Sequence, residues 1–391
     1  MRIDRNRQSS RVAARRLGYL VWVVVLGVSA GVLIVARPWF FGIGLLNNGD
    51  NAPTLRNAER AFASGDLERT VEITRQLWQT SNDDTAVLIL LVRTLVYRSY
   101  TDYDREIDRE TALRITTAAI ERYPADLDVQ TAHAFTLQAT GRSTEAARLI
   151  REVLRAQPDN TLARVILGLS LGGVGGYQNA LRENQTTAAT AETYLLDVRR
   201  AVAISLGDLG RYTEAINTVD AAIAINDKLP MLHFERALYA LQIGDADGAT
   251  SSYFRILAFD PDNIKARLRL CTLSSLLRES NTALRYCNEV TQAAPGWVDG
   301  WYQLGREYYL RGDFTQAQNA LNRCTTLSVA QNIPIAERNL DCWYLQGQSA
   351  EVRGDCEGLL KVYNEFMAMV NEADLPQTWT YPPEGPIICQ G

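Results

Sequence analysis

From residue 51 to residue 373 apolar side chains recur at the three- and four-residue spacing of helix faces, and the spacing itself repeats. Alanine returns in one register at Ala112, Ala146, Ala180, Ala215, Ala249, Ala283 and Ala317, in steps of 34 or 35 residues. Twelve positions before most of these alanines stands another small residue: Ala134, Gly168, Ala203, Ala237, Cys271, Gly305. Five positions before most of them stands a glycine (Gly141, Gly175, Gly210, Gly244, Gly312), and twelve after four of them a proline (Pro124, Pro158, Pro261, Pro295). Each period therefore predicts two antiparallel helices. The glycine ends the first helix in a left-handed turn, and the proline ends the second because it cannot continue an α-helix. The small residues lie where the two helices cross most closely.

Trp301, Leu304, Gly305, Tyr308, Gly312-Asp313-Phe314, Ala317 and Leu321 follow, in spacing, the W…LG…Y…GDY…A…F pattern. On these residues the chain resembles the tetratricopeptide-repeat (TPR) proteins. The resemblance implies an all-α, right-handed solenoid of about nine helix-turn-helix units: 51–84, 85–126, 127–160, 161–194, 196–229, 230–263, 264–297, 298–331 and 340–373. The departures are Thr70 and Leu359 at the alanine position of the outermost units, Arg278 at the turn glycine of unit seven, an insertion near residues 100–107, and about eight extra residues around 328–335. Residues 374–391, with Trp379, Tyr381, Pro382, Pro383 and Pro386, are expected to form an extended tail capping the last helix.

In such arrays the first helix of each pair lines a concave groove, which in the resembled family holds extended or helical peptides. Groove-facing positions are Leu162, Val165, Leu169, Met231, Phe234, Leu238, Lys265, Leu268, Tyr302, Arg306 and Tyr309. The family includes a clamp for C-terminal carboxylates. Arg200, Lys265 and Arg269 occupy its cationic positions, but Ile204 and Glu235 stand in place of its two asparagines, so Glu235 is expected to repel a carboxylate.

Ahead of the array, Leu17 to Ala36 contains no charge over twenty residues, enough at about 1.5 Å per residue to cross a hydrocarbon core of about 30 Å. Arg2, Arg5, Arg7, Arg11, Arg15 and Arg16 precede it and Arg37 follows, a bias that puts residues 1–16 in the cytoplasm and the array outside, beyond a linker at 37–50. A cleaved secretory signal is the other reading; the length of the apolar run and the lack of a clean A-x-A site favour an anchor. Gly27 and Gly31 form a GxxxG on which two anchors could pair as a homodimer.

Charge sharpens this division. Seven of the 40 basic residues and one of the 45 acidic residues lie in positions 1–37, leaving the remainder at −11. A net-acidic body argues against a nucleic-acid partner. No lysine follows a glycine in a phosphate-loop pattern, and two histidines a hundred residues apart make no HExxH site, so no cofactor or metal is expected. Gly168-Leu169-Ser170-Leu171-Gly172 matches GxSxG, but it falls within a helix rather than on a strand-to-helix elbow. Asp245 to Gly248 resembles the opening of a calcium loop that lacks its closing Glu, and reads as a capped turn. Asp102, Asp104, Glu106, Asp108 and Glu110, with Arg105 and Arg109 between them, read as a solvated insertion or as a lure for a cation or basic partner. His133 and His233 read as packing or surface residues.

Six cysteines admit fifteen connectivities. In the repeat register Cys271 faces Cys287, Cys324 lies across a unit junction from Cys342, and Cys356 with Cys389 would pin the tail. The alternative is six buried thiols acting as small apolar groups. The expectation is a membrane-anchored adaptor that performs no chemistry and serves assembly of an envelope or membrane complex. The alternative is a chaperone-like accessory factor at the secretion channel.

Overall fold

The computed structural model describes residues 53–81, 83–377 and 379–390. The basic tail, the Leu17–Ala36 segment with Gly27 and Gly31, and the linker lie outside the described residues. Among those described, no helix is long and apolar enough to cross a membrane.

The described residues form eighteen α-helices and no strand. They pair as α1 (Leu55–Ala63) with α2 (Leu67–Thr80), α3 (Thr85–Arg98) with α4 (Ile107–Arg122), α5 (Leu127–Ala139) with α6 (Ser143–Ala156), α7 (Thr161–Gly173) with α8 (Tyr177–Thr190), and α9 (Leu195–Asp208) with α10 (Tyr212–Ile223). The series continues with α11 (Pro230–Gln242) and α12 (Ala246–Phe259), α13 (Ile264–Leu276) and α14 (Ser280–Ala293), α15 (Val298–Arg311) and α16 (Phe314–Ala330), and α17 (Asp341–Val352) and α18 (Cys356–Glu372).

Local chemistry explains the boundaries. Asp66, Asp84, Asp126, Asn160, Asp245, Asn263 and Asp355 each accept a backbone N–H of the following helix, a cap worth about 1 kcal/mol. Gly312 closes α15 at φ +84°, a conformation in which a Cβ is disfavoured. Arg278 occupies the same turn position at φ +62° without that freedom. At the crossing, the seven alanines of the register are all buried, and a Cβ on Gly305 would meet Leu321 Cγ at 2.6 Å.

The array coils tightly enough to meet itself after about five units. Asn226 Nδ2 donates to Phe62 O at 3.0 Å, and Asn263 Nδ2 donates to Thr101 O at 3.0 Å, across 164 and 162 residues. Thus the helix turns of units one and two rest on the connections that lead into units six and seven. Helix α3, apolar on nearly every side, is enclosed by this coil, and Arg93 and Tyr97 reach Asp197 on α9.

Disulfides hold the far end. Cys271–Cys287 joins α13 to α14, Cys324–Cys342 joins α16 to α17, and Cys356–Cys389 ties the tail to the start of α18, with Cα separations of 5.2, 6.1 and 5.2 Å. In the chain-entropy view each closure stabilises by roughly 3–4 kcal/mol. The tail folds back so that Trp379 is buried among Tyr344, Tyr363, Phe366 and Tyr381. Gly347 makes room for it: a Cβ there would stand 2.3 Å from Trp379 Cη2. Tyr381 donates its hydroxyl to Glu351 at 2.9 Å. The tail covers the apolar face that a tenth unit would otherwise bury.

Candidate functional site

The first helices of units six and seven, α11 and α13, diverge on the concave side around a cavity of about 290 Å³. Its wall is mostly apolar: Met231, Phe234, Leu238 and Leu241 from α11, and Leu273 and Leu276 from α13, with Tyr253 of α12 between them. Tyr100, from the insertion after α3, closes one side. Leu238 and Leu276 are 52% and 63% exposed, high values for large apolar side chains.

Two cations border this wall. Lys265 lies with its ammonium 5.0 Å from the Phe234 ring centre and donates to Tyr100 O at 2.9 Å. Burial, and next the positive charge of Arg269, hold the Lys265 ammonium below its ordinary range. Arg269 is exposed at the same mouth. An apolar hollow rimmed by cations is suited to a bulky apolar side chain on a segment that carries negative charge nearby.

Of the sequence-derived groove residues, Met231, Phe234, Leu238, Lys265 and Arg269 come together here. Leu268 is buried and does not line the cavity. Tyr302, Arg306 and Tyr309 stand one unit further on: Tyr302 donates to Asp341 Oδ2 at 3.2 Å, Arg306 reaches Ser275 Oγ at 3.4 Å, and Tyr309 packs on Phe314. Leu162, Val165 and Leu169 are buried within the coil.

Arg200 departs from the expectation of a groove cation. It is not free for a ligand: its guanidinium donates to Glu235 Oε1 at 2.8 Å through Nε and lies over the rings of Tyr97 and Tyr100. Glu235 answers Arg200 through Oε1, while its Oε2 is buried without a hydrogen-bond partner at the cavity wall. Burial pushes the Glu235 carboxyl upward, against the pull of Arg200. Tyr100, Leu241, Tyr253 and Leu276 also line the cavity, beyond the groove positions expected from the repeat. A leucine at 276, at the solvent edge where a helix ends, was the available signal.

The remaining motifs take structural places. Ser170 lies wholly buried inside α7, and the neighbouring Gly168 leaves space for Asn184. Asp245 caps α12 by accepting Gly248 N–H at 2.8 Å. His133 lies 3.1 Å from Thr116 Oγ1, and His233 meets the carbonyl of Asp227 at 2.8 Å. The acidic insertion is not simply solvated: Asp108 is buried and receives Arg98 at 2.7 and 2.9 Å, and Asp102 accepts backbone N–H groups of α13. Among the described residues no cluster of His, Cys, Asp and Glu could hold a metal ion. A larger hollow of about 910 Å³ between α16 and α18 is lined mostly by polar side chains such as Gln318, Asn322 and Gln346.

Residues 201–264 match a family model described as tetratricopeptide repeat. The fold is a TPR solenoid. Residues 271–337 of these TPR units also match a model described as the second ARM domain of tetratricopeptide repeat protein 21. Among solved structures, a chain of the APC/C hetero-tetramer Cut9–Hcn1 is similar at TM-score 0.53 and 16% identity, over 78% of this chain and 57% of that one. The chain thus spans little more than half of that relative's length. A tetratricopeptide repeat protein from Parabacteroides merdae is similar at TM-score 0.46 and 17% identity, over 62% of this chain and 93% of that one. The human IFIT1 dimer with PPP-AAAA is similar at 0.49 and 13%, over 80% and 81%. No curated protein matches the sequence. TPR arrays generally mediate contacts between proteins and are typically non-catalytic.

Proposed function

We propose that this chain is a membrane-anchored scaffold whose TPR array stands outside the cytoplasm and binds protein partners through its concave face, in assembly of an envelope or membrane complex. The observation that carries the binding role is the cavity between α11 and α13, where Leu238 and Leu276 stay exposed beside Arg269 while neighbouring groove positions are buried or paired. A partner segment that seats an apolar side chain there removes this surface from water, at about 25 cal/mol per Å². The anchor and the outward topology are supported by the uncharged run Leu17–Ala36 with its arginine bias. The three disulfides fit an oxidising compartment. The acid excess of residues 38–391 favours protein over nucleic acid as partner.

The test is chemical crosslinking in native membranes, with mass spectrometry, of the wild type and of a Leu238→Asp, Leu276→Asp variant. The proposal expects at least tenfold loss of one partner's crosslinks in the variant. Unchanged crosslinks would refute binding at this face. A membrane-impermeant label that reaches the array only after the membrane is breached would refute the outward topology.

A further inference from the structure

The insertion in unit two reaches the groove, where Tyr100 lines the α11–α13 cavity and Asp102 meets the start of α13. Asn263 already caps α13 by accepting Ala266 N–H at 2.8 Å. The first two donors of α13, Ile264 N–H and Lys265 N–H, are taken by the Asp102 carboxylate at 3.1 and 3.0 Å, from more than 160 residues away in sequence. Thr101 O accepts Asn263 Nδ2 and Tyr100 O accepts Lys265 Nζ. The Tyr103 ring stacks on Trp297 with centroids 4.7 Å apart.

We propose that residues 99–106 are a releasable strap that sets the bore of the superhelix and competes with the partner for the groove. Its grip differs in kind from the contact beneath it. The Arg93–Asp197 pair and Tyr97 are buried within the coil, whereas the strap is held from partly exposed residues: Tyr100, Thr101 and Asp102 hydrogen-bond to Asn263 and the start of α13, Tyr103 stacks on Trp297, Tyr100 lies under Arg200, and Arg105 pairs with Glu68 at 3.0 Å. Such edge contacts open locally more readily than a packed interior. In place, Tyr100 walls the cavity and its carbonyl occupies the Lys265 ammonium. Lifted, the strap lengthens the cavity into a channel and frees both that ammonium and the first N–H groups of α13, a ready acceptor of negative charge. The inference rests on the concave face being the binding surface, but its test does not.

Hydrogen exchange with mass spectrometry on the full chain in detergent micelles reads the strap directly. Asp102→Ala is expected to speed exchange at Ile264 and Lys265 at least tenfold while protection of α3 and α9 stays as in the wild type. Tyr103→Ala, which leaves the α13 cap in place, is expected to act in the same direction. If protection of α3 and α9 falls by the same factor as that of α13, the strap belongs to one cooperative coil and does not release alone. If neither variant changes exchange at α13, the strap holds nothing. Either result overturns the proposal, whether or not a client is ever found.

Discussion

Arg93 and Asp197 stand 104 residues apart in sequence and meet as a buried two-point ion pair, Nε to Oδ1 at 3.1 Å and the terminal nitrogen to Oδ2 at 2.5 Å. Tyr97 donates to the same carboxylate, and the Arg93 guanidinium lies between the rings of Phe62 and Tyr194. This is where unit two meets unit five inside the coil. Removing one partner leaves the other charge buried, so Asp197→Ala is expected to cost about 3–5 kcal/mol in urea unfolding. Replacing both, Arg93→Met with Asp197→Leu, is expected to cost less than either single change. Additive losses would show that the pair does not act as a unit.

Unit seven carries Arg278 at φ +62° where its neighbours place glycine. The left-handed conformation costs a residue with a Cβ roughly 1–2 kcal/mol. Arg278→Gly is therefore expected to raise stability by about 1 kcal/mol, and Gly312→Ala to lower it by a similar amount. Thermal melts of the two variants check both signs.

His233 is held below its ordinary value of 6.5, chiefly by burial, with Arg255 and Arg236 adding and the carbonyl of Asp227 opposing. Its neutral form suits the fold. The stability it contributes is fully present above pH 6.5 and lost as pH falls from there through the depressed folded value. The melting temperature of the wild type is thus expected to drop more steeply between pH 7 and 5 than that of His233→Gln. Parallel curves would remove His233 from the acid response.

The disulfides differ in access. Cys271, Cys287, Cys324 and Cys342 are buried, while Cys356 and Cys389 are partly exposed. Under mild reductant, timed alkylation is expected to find Cys356–Cys389 opening first, followed by protease sensitivity of the tail around Trp379. Simultaneous opening of all three would mean that access does not set the order.

The repeat register was legible because each unit solves the same local problem: small residues at the crossing, a cap and a left-handed turn, within about 34 residues. The nine helix pairs follow from that register. Closure of the coil was not legible, because it depends on small rotations accumulated over five units and appears in no local pattern. Glu235 read as an obstacle to a carboxylate clamp when it is the partner of Arg200, 35 residues earlier on the first helix of the neighbouring unit. One trace of closure was present: Val87 to Val92 is apolar without a break, as suits a helix enclosed on all sides.

The central claim, that the α11–α13 cavity is where this array meets its partner, is tested most directly by photo-crosslinking from a benzoylphenylalanine placed at Leu238 in native membranes, with Arg148 on the outer helix α6 as control. The account predicts one dominant adduct from position 238, absent from position 148. Equal adducts from both, or adducts from 148 alone, would contradict it.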